Sequence, residues 1–124
     1  MNVVDSSAWL SYFADERHAQ SFAEPISDLD HLLVPSITLI EVFKSVFRQA
    51  DERSALQAVA HMNRGRVIAL DDSLALEAAS CGLQFKLPLA DSIIYATARK
   101  FGAVVWTQDA DFKELPDVKY FAPA

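Results

Sequence analysis

Four short runs of apolar, strand-forming residues constrain the fold of this chain more than any other feature. They are the VV of residues 3–4, the LLV of 32–34, the VIAL of 67–70 and the AVVW of 103–106. Polar residues do not alternate with apolar ones in these runs, which is typical of strands that are covered on both faces. Longer segments with helical periodicity separate the runs. Strands separated by helices predict an α/β domain with a mostly parallel central sheet.

Caps, breakers and periodicity predict the order of the remaining elements. The predicted strands are 2–4, 31–34, 67–70, 103–106 and a weak last strand at 118–121, and the predicted helices are 6–14, 16–29, 37–49, 51–62, 72–82 and 89–101. Connections that hold a pair of helices would return the chain to the wrong edge of a parallel sheet. Either one helix of each pair lies crosswise, or an extended segment leads back. Residues 83–89 could do this between helices 72–82 and 89–101, because seven extended residues reach about 23 Å.

Length and composition predict one domain that spans residues 1–124. The chain has 124 residues, of which 52% are apolar, and this suits a single compact core. We expect a cytoplasmic protein, since the N-terminus has no signal-peptide profile and no apolar run approaches a membrane span. The single cysteine, Cys81, is expected in the core. The net charge of −6 does not exclude a nucleic-acid partner, because the five acids described next could share one metal site, and the remaining charges would then be nearly balanced.

Acidic residues map to one edge of the predicted sheet. Crossover helices run antiparallel to the strands, so strand ends and helix starts share the edge at which open α/β sheets bind ligands. Asp5 follows the first strand, Glu41 lies in the first turns of the helix after the second strand, and Asp91 lies in the first turn of the helix after Pro88. Asp109 follows the AVVW strand, with Asp111 two residues on.

Each acid also has a structural explanation. Asp91 would interact favourably with a helix macrodipole, Glu41 could pair with Lys44, and Asp5 and Asp109 could cap helices. Their coincidence at one edge is more informative than any of them alone. Two carboxylates 4 Å apart repel by about 4 kcal/mol at an effective dielectric constant near 20. Such a cluster must be protonated, expelled or neutralised by a cation.

The composition of the cluster favours Mg²⁺ or Mn²⁺, because hard cations prefer carboxylate oxygens and water. The three histidines have no metal-ligand spacing; they are His18, His31 and His61. An open carboxylate site with one or two such ions suits phosphoryl chemistry, in which a metal activates a water and stabilises the leaving oxygen.

Four stretches of the sequence together resemble the PIN-domain ribonucleases, in particular the VapC toxins of bacterial and archaeal toxin–antitoxin pairs. They are VVDSSAWL at the start, PSITLIEV around Glu41, LPLADSIIYATA around Asp91 and VVWTQDADF around Asp109. The resemblance extends over essentially the whole chain, in order. It implies a three-layer α/β/α fold and a Mg²⁺- or Mn²⁺-dependent endoribonuclease.

The resemblance also implies roles for individual residues. Asp5, Glu41, Asp91 and Asp109 match the acidic quartet of the family, and Asp111 matches a further acid that many members carry. Thr107 matches a hydroxyl residue that hydrogen-bonds the site, and either Ser7 or Ser6 matches the small polar position after the first aspartate. Members of the family usually form homodimers and are held inactive by a small antitoxin whose C-terminal segment covers the acidic pocket.

An RNA substrate also requires cations, because phosphate neutralisation supplies most of the sequence-independent affinity. The candidates are Lys44, Arg48, Arg53, Arg64 and Arg66, although a solvated helix face explains each equally well. Several aromatic residues could stack on bases, but their helical spacing first indicates core or dimer surface; they are Trp9, Phe13, Phe43, Phe47 and Tyr95.

Two other functions are weaker fits. A receiver domain or a phosphatase with Asp5 as phosphate acceptor would need motifs that differ from Asp5-Ser6-Ser7. A non-catalytic binding module would use the same acids to attract a basic protein partner. Metal affinity and hydrolysis separate this module from a nuclease.

Overall fold

The computed structural model describes residues 1–123, which form five strands and six α-helices. The strands are β1 (Asn2–Val4), β2 (Leu32–Pro35), β3 (Arg66–Ile68), β4 (Val104–Thr107) and β5 (Val118–Tyr120). The helices are α1 (Ser6–Phe13), α2 (Ala19–Ser27), α3 (Ser36–Gln49), α4 (Glu52–Met62), α5 (Asp72–Phe85) and α6 (Leu89–Lys100), with 3₁₀ turns at Leu29–His31 and Ala110–Phe112.

The strands form one parallel sheet in the order β3-β2-β1-β4-β5. The central strand β1 pairs with β2 on one side and with β4 on the other, so that Val4 lies beside Trp106. The carboxyl ends of all the strands therefore lie at the same edge. The predicted α/β class with a parallel sheet is confirmed.

Successive residues of the central strands enter two separate cores, as the alternation of side chains along a strand requires. Val3, Leu33 and Val105 pack with α5 and α6 on one face of the sheet. Val4 and Trp106 pack with α1, α2, α3 and α4 on the other face. This is the three-layer α/β/α sandwich that the family resemblance implies. The apolar runs are explained by burial on both faces.

The edge strand β3 differs from its prediction. It spans 66–68 rather than 67–70, and the Val67 side chain is 38% exposed. An edge strand has a neighbour on one side only, so fewer helices cover it. The apolar run in the sequence does not indicate whether its strand is central or at the edge.

The connection between α5 and α6 also differs from its prediction. Helix α5 continues through Gly82 to Phe85, and Lys86, with φ of 57°, provides the left-handed C-cap. Residues 83–85 are therefore helical, and the predicted extended return is wrong. Gly82 is needed instead for close helix packing, since a Cβ at this position would overlap Ser92 Oγ. Only three residues separate the two helices, which pack directly against each other.

Cys81 of α5 points into the core and is buried there, as expected. Among residues 1–123, no helix has the length and apolar character needed to cross a membrane.

Candidate active site

Asp5 stands at the junction of β1 and α1 and is held by three hydrogen bonds. Its Oδ1 accepts from the Ala8 N–H at 3.0 Å and from Ser7 Oγ at 2.7 Å, and its Oδ2 accepts from Thr107 Oγ1 at 2.7 Å. Its backbone N–H donates to the Trp106 carbonyl, which continues the pairing of β1 with β4. Asp5 is only 2% exposed, so these partners determine its orientation.

Ser7 and Thr107 also attach Asp5 to the chain that follows β4. Thr107 Oγ1 accepts from the Asp109 N–H at 2.8 Å, and Ser7 Oγ accepts from the Gln108 N–H at 3.1 Å. Each hydroxyl thus bridges the Asp5 carboxylate and a backbone amide of the neighbouring strand end. The auxiliary positions implied by the family resemblance lie where they can orient the acids.

Three further acids lie together at the same edge. Carboxylate oxygens of Asp91, Asp109 and Asp111 lie within 4.8 Å of one another. Asp91 is in the first turn of α6, and Asp109 caps the 3₁₀ turn that contains Asp111, whose N–H donates to Asp109 Oδ1 at 2.9 Å. Asp91 does lie where a helix macrodipole favours an acid, and Asp109 does cap a turn. Neither role accounts for three carboxylates at such short separation.

Glu41 lies on the opposite wall, in the second turn of α3. Its Oε1 accepts a hydrogen bond from Ser6 Oγ at 2.5 Å. Ser6 and Ser7 therefore have different partners, Glu41 for the first and Asp5 for the second, and both serines contribute to the site.

A cleft between α1, α3 and α6 brings the predicted quartet together. Its volume is about 460 Å³, and Asp5, Glu41, Asp91 and Asp109 all line it. The exposed Asp111 lies beside it, in contact range of Asp91 and Asp109. Residues that are more than 100 positions apart in the chain thus share one pocket.

Burial changes the acid–base properties of Asp5. Loss of hydration raises the pKa of its carboxyl to about 6, although hydrogen bonds from Thr107, Ser7 and the Ala8 amide oppose this change. The nearby charge of Asp109 raises the pKa further. A carboxylate that donors have oriented but water does not reach is costly to ionise until a cation approaches.

Asp91 is affected more strongly. Burial raises its pKa most, followed by the charge of Asp109, hydrogen bonding to Asp109 and Asp111, and the charge of Asp5, and the pKa reaches about 8. At neutral pH the group of acids therefore retains a proton when no cation neutralises it. Oxygen-only donors, short separations and a raised pKa all fit a hard divalent cation at Asp91, Asp109 and Asp111.

Residues 3–118 match the PIN domain family. The chain belongs to this family. Comparison with curated proteins by sequence gives no match.

Solved structures with the PIN domain fold extend over nearly the whole chain. A toxin–antitoxin complex from Klebsiella pneumoniae has a TM-score of 0.81 at 22% identity and covers 98% of this chain and 99% of that one. VapC20 of Mycobacterium tuberculosis, described as a sarcin–ricin loop cleaving toxin, has a TM-score of 0.78 at 19% identity and covers 95% and 97%. DNA-bound VapBC from Salmonella typhimurium has a TM-score of 0.73 at 17% identity and covers 98% and 96%. At these identities the likeness concerns the fold.

The five candidate cations of this PIN domain lie in three separate places. Lys44 and Arg48 line the acidic cleft. Arg53 lies in a separate depression on α4. Arg64 and Arg66 lie at the amino end of β3, where the Arg66 guanidinium is 5.2 Å from the centroid of the Phe101 ring. The chain must return to the amino edge before a parallel strand can begin, so residues immediately before β3 lie far from the carboxyl edge.

The histidines and the large aromatic residues lie elsewhere in this PIN domain. His31 pairs with Asp28, and His18 contacts the Ala122 carbonyl. Trp9 and Tyr95 are fully buried, which confirms the expectation that they belong to the core.

Sequence reasoning missed apolar residues of the cleft. Leu10 of α1, Ile40 of α3 and Ile94 of α6 line it. Periodicity alone could not have identified them, because they occupy helix positions that also suit the core.

Proposed function

We propose that this protein is the toxin of a toxin–antitoxin pair, a Mg²⁺- or Mn²⁺-dependent endoribonuclease that hydrolyses RNA phosphodiester bonds. One observation carries the proposal. Four acids from four separate elements, Asp5, Glu41, Asp91 and Asp109, line one cleft at the carboxyl edge of a PIN-domain sheet. An inert fold would not gather mutually repelling carboxylates in a partly dry pocket.

Asp91, Asp109 and Asp111 would provide the principal metal ligands, since their oxygens already lie within 4.8 Å of one another. Asp5 and Glu41 would complete the donor set from the facing walls of the cleft. A bound Mg²⁺ or Mn²⁺ supplies Lewis-acid activation of water and stabilisation of the leaving oxygen.

The residues of the chain prepare the site for this role. Ser7 and Thr107 orient Asp5, and Ser6 orients Glu41, by hydrogen bonds that need no rearrangement when a ligand binds.

An antitoxin, a second copy of the chain and a cytoplasmic location belong to the same proposal. Structures of similar fold are described as a toxin–antitoxin complex and as DNA-bound VapBC. A basic segment of an antitoxin would compensate the carboxylates of the cleft and exclude substrate from it. We expect the toxin to act as a homodimer.

Replacement of Asp91 by Asn tests the proposal directly. Cleavage of single-stranded RNA in Mg²⁺ should fall by about 100-fold or more, because one carboxylate of the closest group is lost. Asp72→Asn is the matched control, since Asp72 lies in the first turn of α5, is exposed and is outside the cleft. Equal cleavage by wild type and Asp91→Asn would refute the mechanism.

Metal titration separates the nuclease from a non-catalytic module that holds a basic partner. Mn²⁺ binding by isothermal titration should be lost in Asp91→Asn and retained in Asp72→Asn. A protein that binds a basic partner but neither Mn²⁺ nor RNA would be a module.

A further inference from the structure

The cleft extends beyond its acidic end. Helix α3 contributes Glu41, Lys44 and Arg48 to the wall. Spacings of three and four residues place these side chains on one face, and Arg48 lies about 10 Å further along the helix than Glu41. The charge along this wall therefore changes from negative to positive within two turns.

The fold does not use the two cations at the positive end. Within residues 1–123, the one ion pair joins His31 and Asp28, and no side-chain hydrogen bond involves Lys44 or Arg48. The cations that lie over aromatic rings are other residues, namely Arg66, Arg99, Lys113 and Lys119. Both Lys44 and Arg48 are exposed, so they are available to a ligand.

We propose that Lys44 and Arg48 form a subsite for the RNA phosphates that flank the phosphate being hydrolysed. This inference rests on the proposed function. The acidic end requires a cation before it can accept a phosphate, whereas Lys44 and Arg48 attract phosphates directly. A single strand that is held at the acids continues along α3 and meets positive charge where the carboxylates end. Such contacts position the strand without reading its sequence.

The chain offers an alternative explanation for one of these residues. Arg48 is in the last turn of α3, where a positive charge interacts favourably with the helix macrodipole. That role would change thermal stability but not the salt dependence of RNA binding.

The salt dependence of binding is the decisive measurement. A fluorescent single-stranded RNA is titrated with the protein in Ca²⁺ at several salt concentrations. Ca²⁺ binds carboxylate oxygens with a looser coordination geometry than Mg²⁺, so the acidic end is neutralised while cleavage is slow. Lys44→Gln and Arg48→Gln should each reduce the slope of log K against log salt by about 0.7, the value for one phosphate contact on a single strand. Arg53→Gln is the matched control, because Arg53 is an exposed arginine outside the cleft, and its slope should not change.

A second measurement locates the contact on the RNA. In wild-type protein, replacement of one flanking phosphate by a neutral methylphosphonate should slow cleavage about tenfold, the effect of losing one charge-assisted contact. The same substitution should have no further effect in Arg48→Gln.

The outcomes separate the two proposals. Unchanged slopes in both cleft variants, or no RNA binding at all, would overturn the subsite. The expected slopes without cleavage by wild type would retain the subsite and refute the nuclease. RNA cleavage that neither Lys44→Gln nor Arg48→Gln alters would support the nuclease and overturn the subsite.

Discussion

Asp91→Asn should stabilise the metal-free protein, although it removes the residue on which the proposed activity most depends. Burial, the charge of Asp109, and hydrogen bonding to Asp109 and Asp111 raise the pKa of Asp91 from 3.8 to about 8. Near neutral pH, folding therefore requires the Asp91 carboxyl either to keep a proton that it releases in the unfolded chain or to carry its negative charge beside other carboxylates. Asn has the same shape and avoids both costs.

The size of the effect follows from the change in pKa. About four pKa units correspond to about 6 kcal/mol at most, since one unit is about 1.4 kcal/mol. Asp91 is only partly buried, so solvent screening lowers this to about 2–3 kcal/mol. The entropy of unfolding for a chain of this length is about 260 cal/mol/K, so the melting temperature should rise by about 8–12 °C at pH 8.

The pH dependence has a definite sign. A carboxyl whose pKa is higher in the folded state binds more protons there than in the unfolded chain, so wild-type stability falls as pH rises from about 4 to 8. The variant lacks this loss. Its advantage should be small at pH 5 and reach its full size near pH 8.

The assay is thermal unfolding followed by circular dichroism in EDTA, with Asp72→Asn as the control at an exposed helix start. Saturating Mg²⁺ should raise the melting temperature of wild type and leave that of Asp91→Asn nearly unchanged, because a ligand stabilises only the protein that binds it. A lower melting temperature for Asp91→Asn at pH 8 in EDTA, or a difference that does not vary with pH, would contradict this reasoning.

Two further substitutions test the packing around the site. Thr107→Val should destabilise the protein by about 2–3 kcal/mol in urea unfolding, because Asp5 Oδ2 and the Asp109 amide both lose their partner, whereas Thr107→Ser should retain most of the stability. Gly82→Ala should cost about 1–3 kcal/mol in the same assay, since the new methyl group meets Ser92 Oγ; a neutral effect would show that α5 and α6 separate freely.

Most of the acidic site could be predicted because the topology of a parallel sheet places strand ends and helix starts at the same edge. In a parallel sheet every strand ends at the same edge, so Asp5 and Asp109 were predicted to lie at one edge as soon as the strands before them were recognised. Asp91 and Glu41 follow from the same rule, as residues near the starts of α6 and α3. The shared edge needs only the order of elements, whereas the closeness of Asp5 and Asp109 also depends on the pairing of β1 with β4.

The same rule could not predict which of the candidate cations line the cleft. Lys44 and Arg48 face the cleft only because α3 presents that side to α1 and α6, whereas Arg64 and Arg66 lie at the opposite edge because the chain has to reach the start of β3. The prediction that a helix ends at Gly82 was wrong for a similar reason. A glycine ends helices in many contexts, and only the approach of Ser92 shows that this one permits close packing.

The apolar runs and their order were enough to predict a parallel α/β sheet and the edge of it at which the acids meet, because both are local properties read along the chain. The packed structure was needed to establish which acids come within 4.8 Å, which hydroxyl orients which carboxylate and which cations line the cleft. Those distances depend on how the helices cross the sheet and one another. Helix crossing is set by packing among residues distant in the chain, which no local pattern contains.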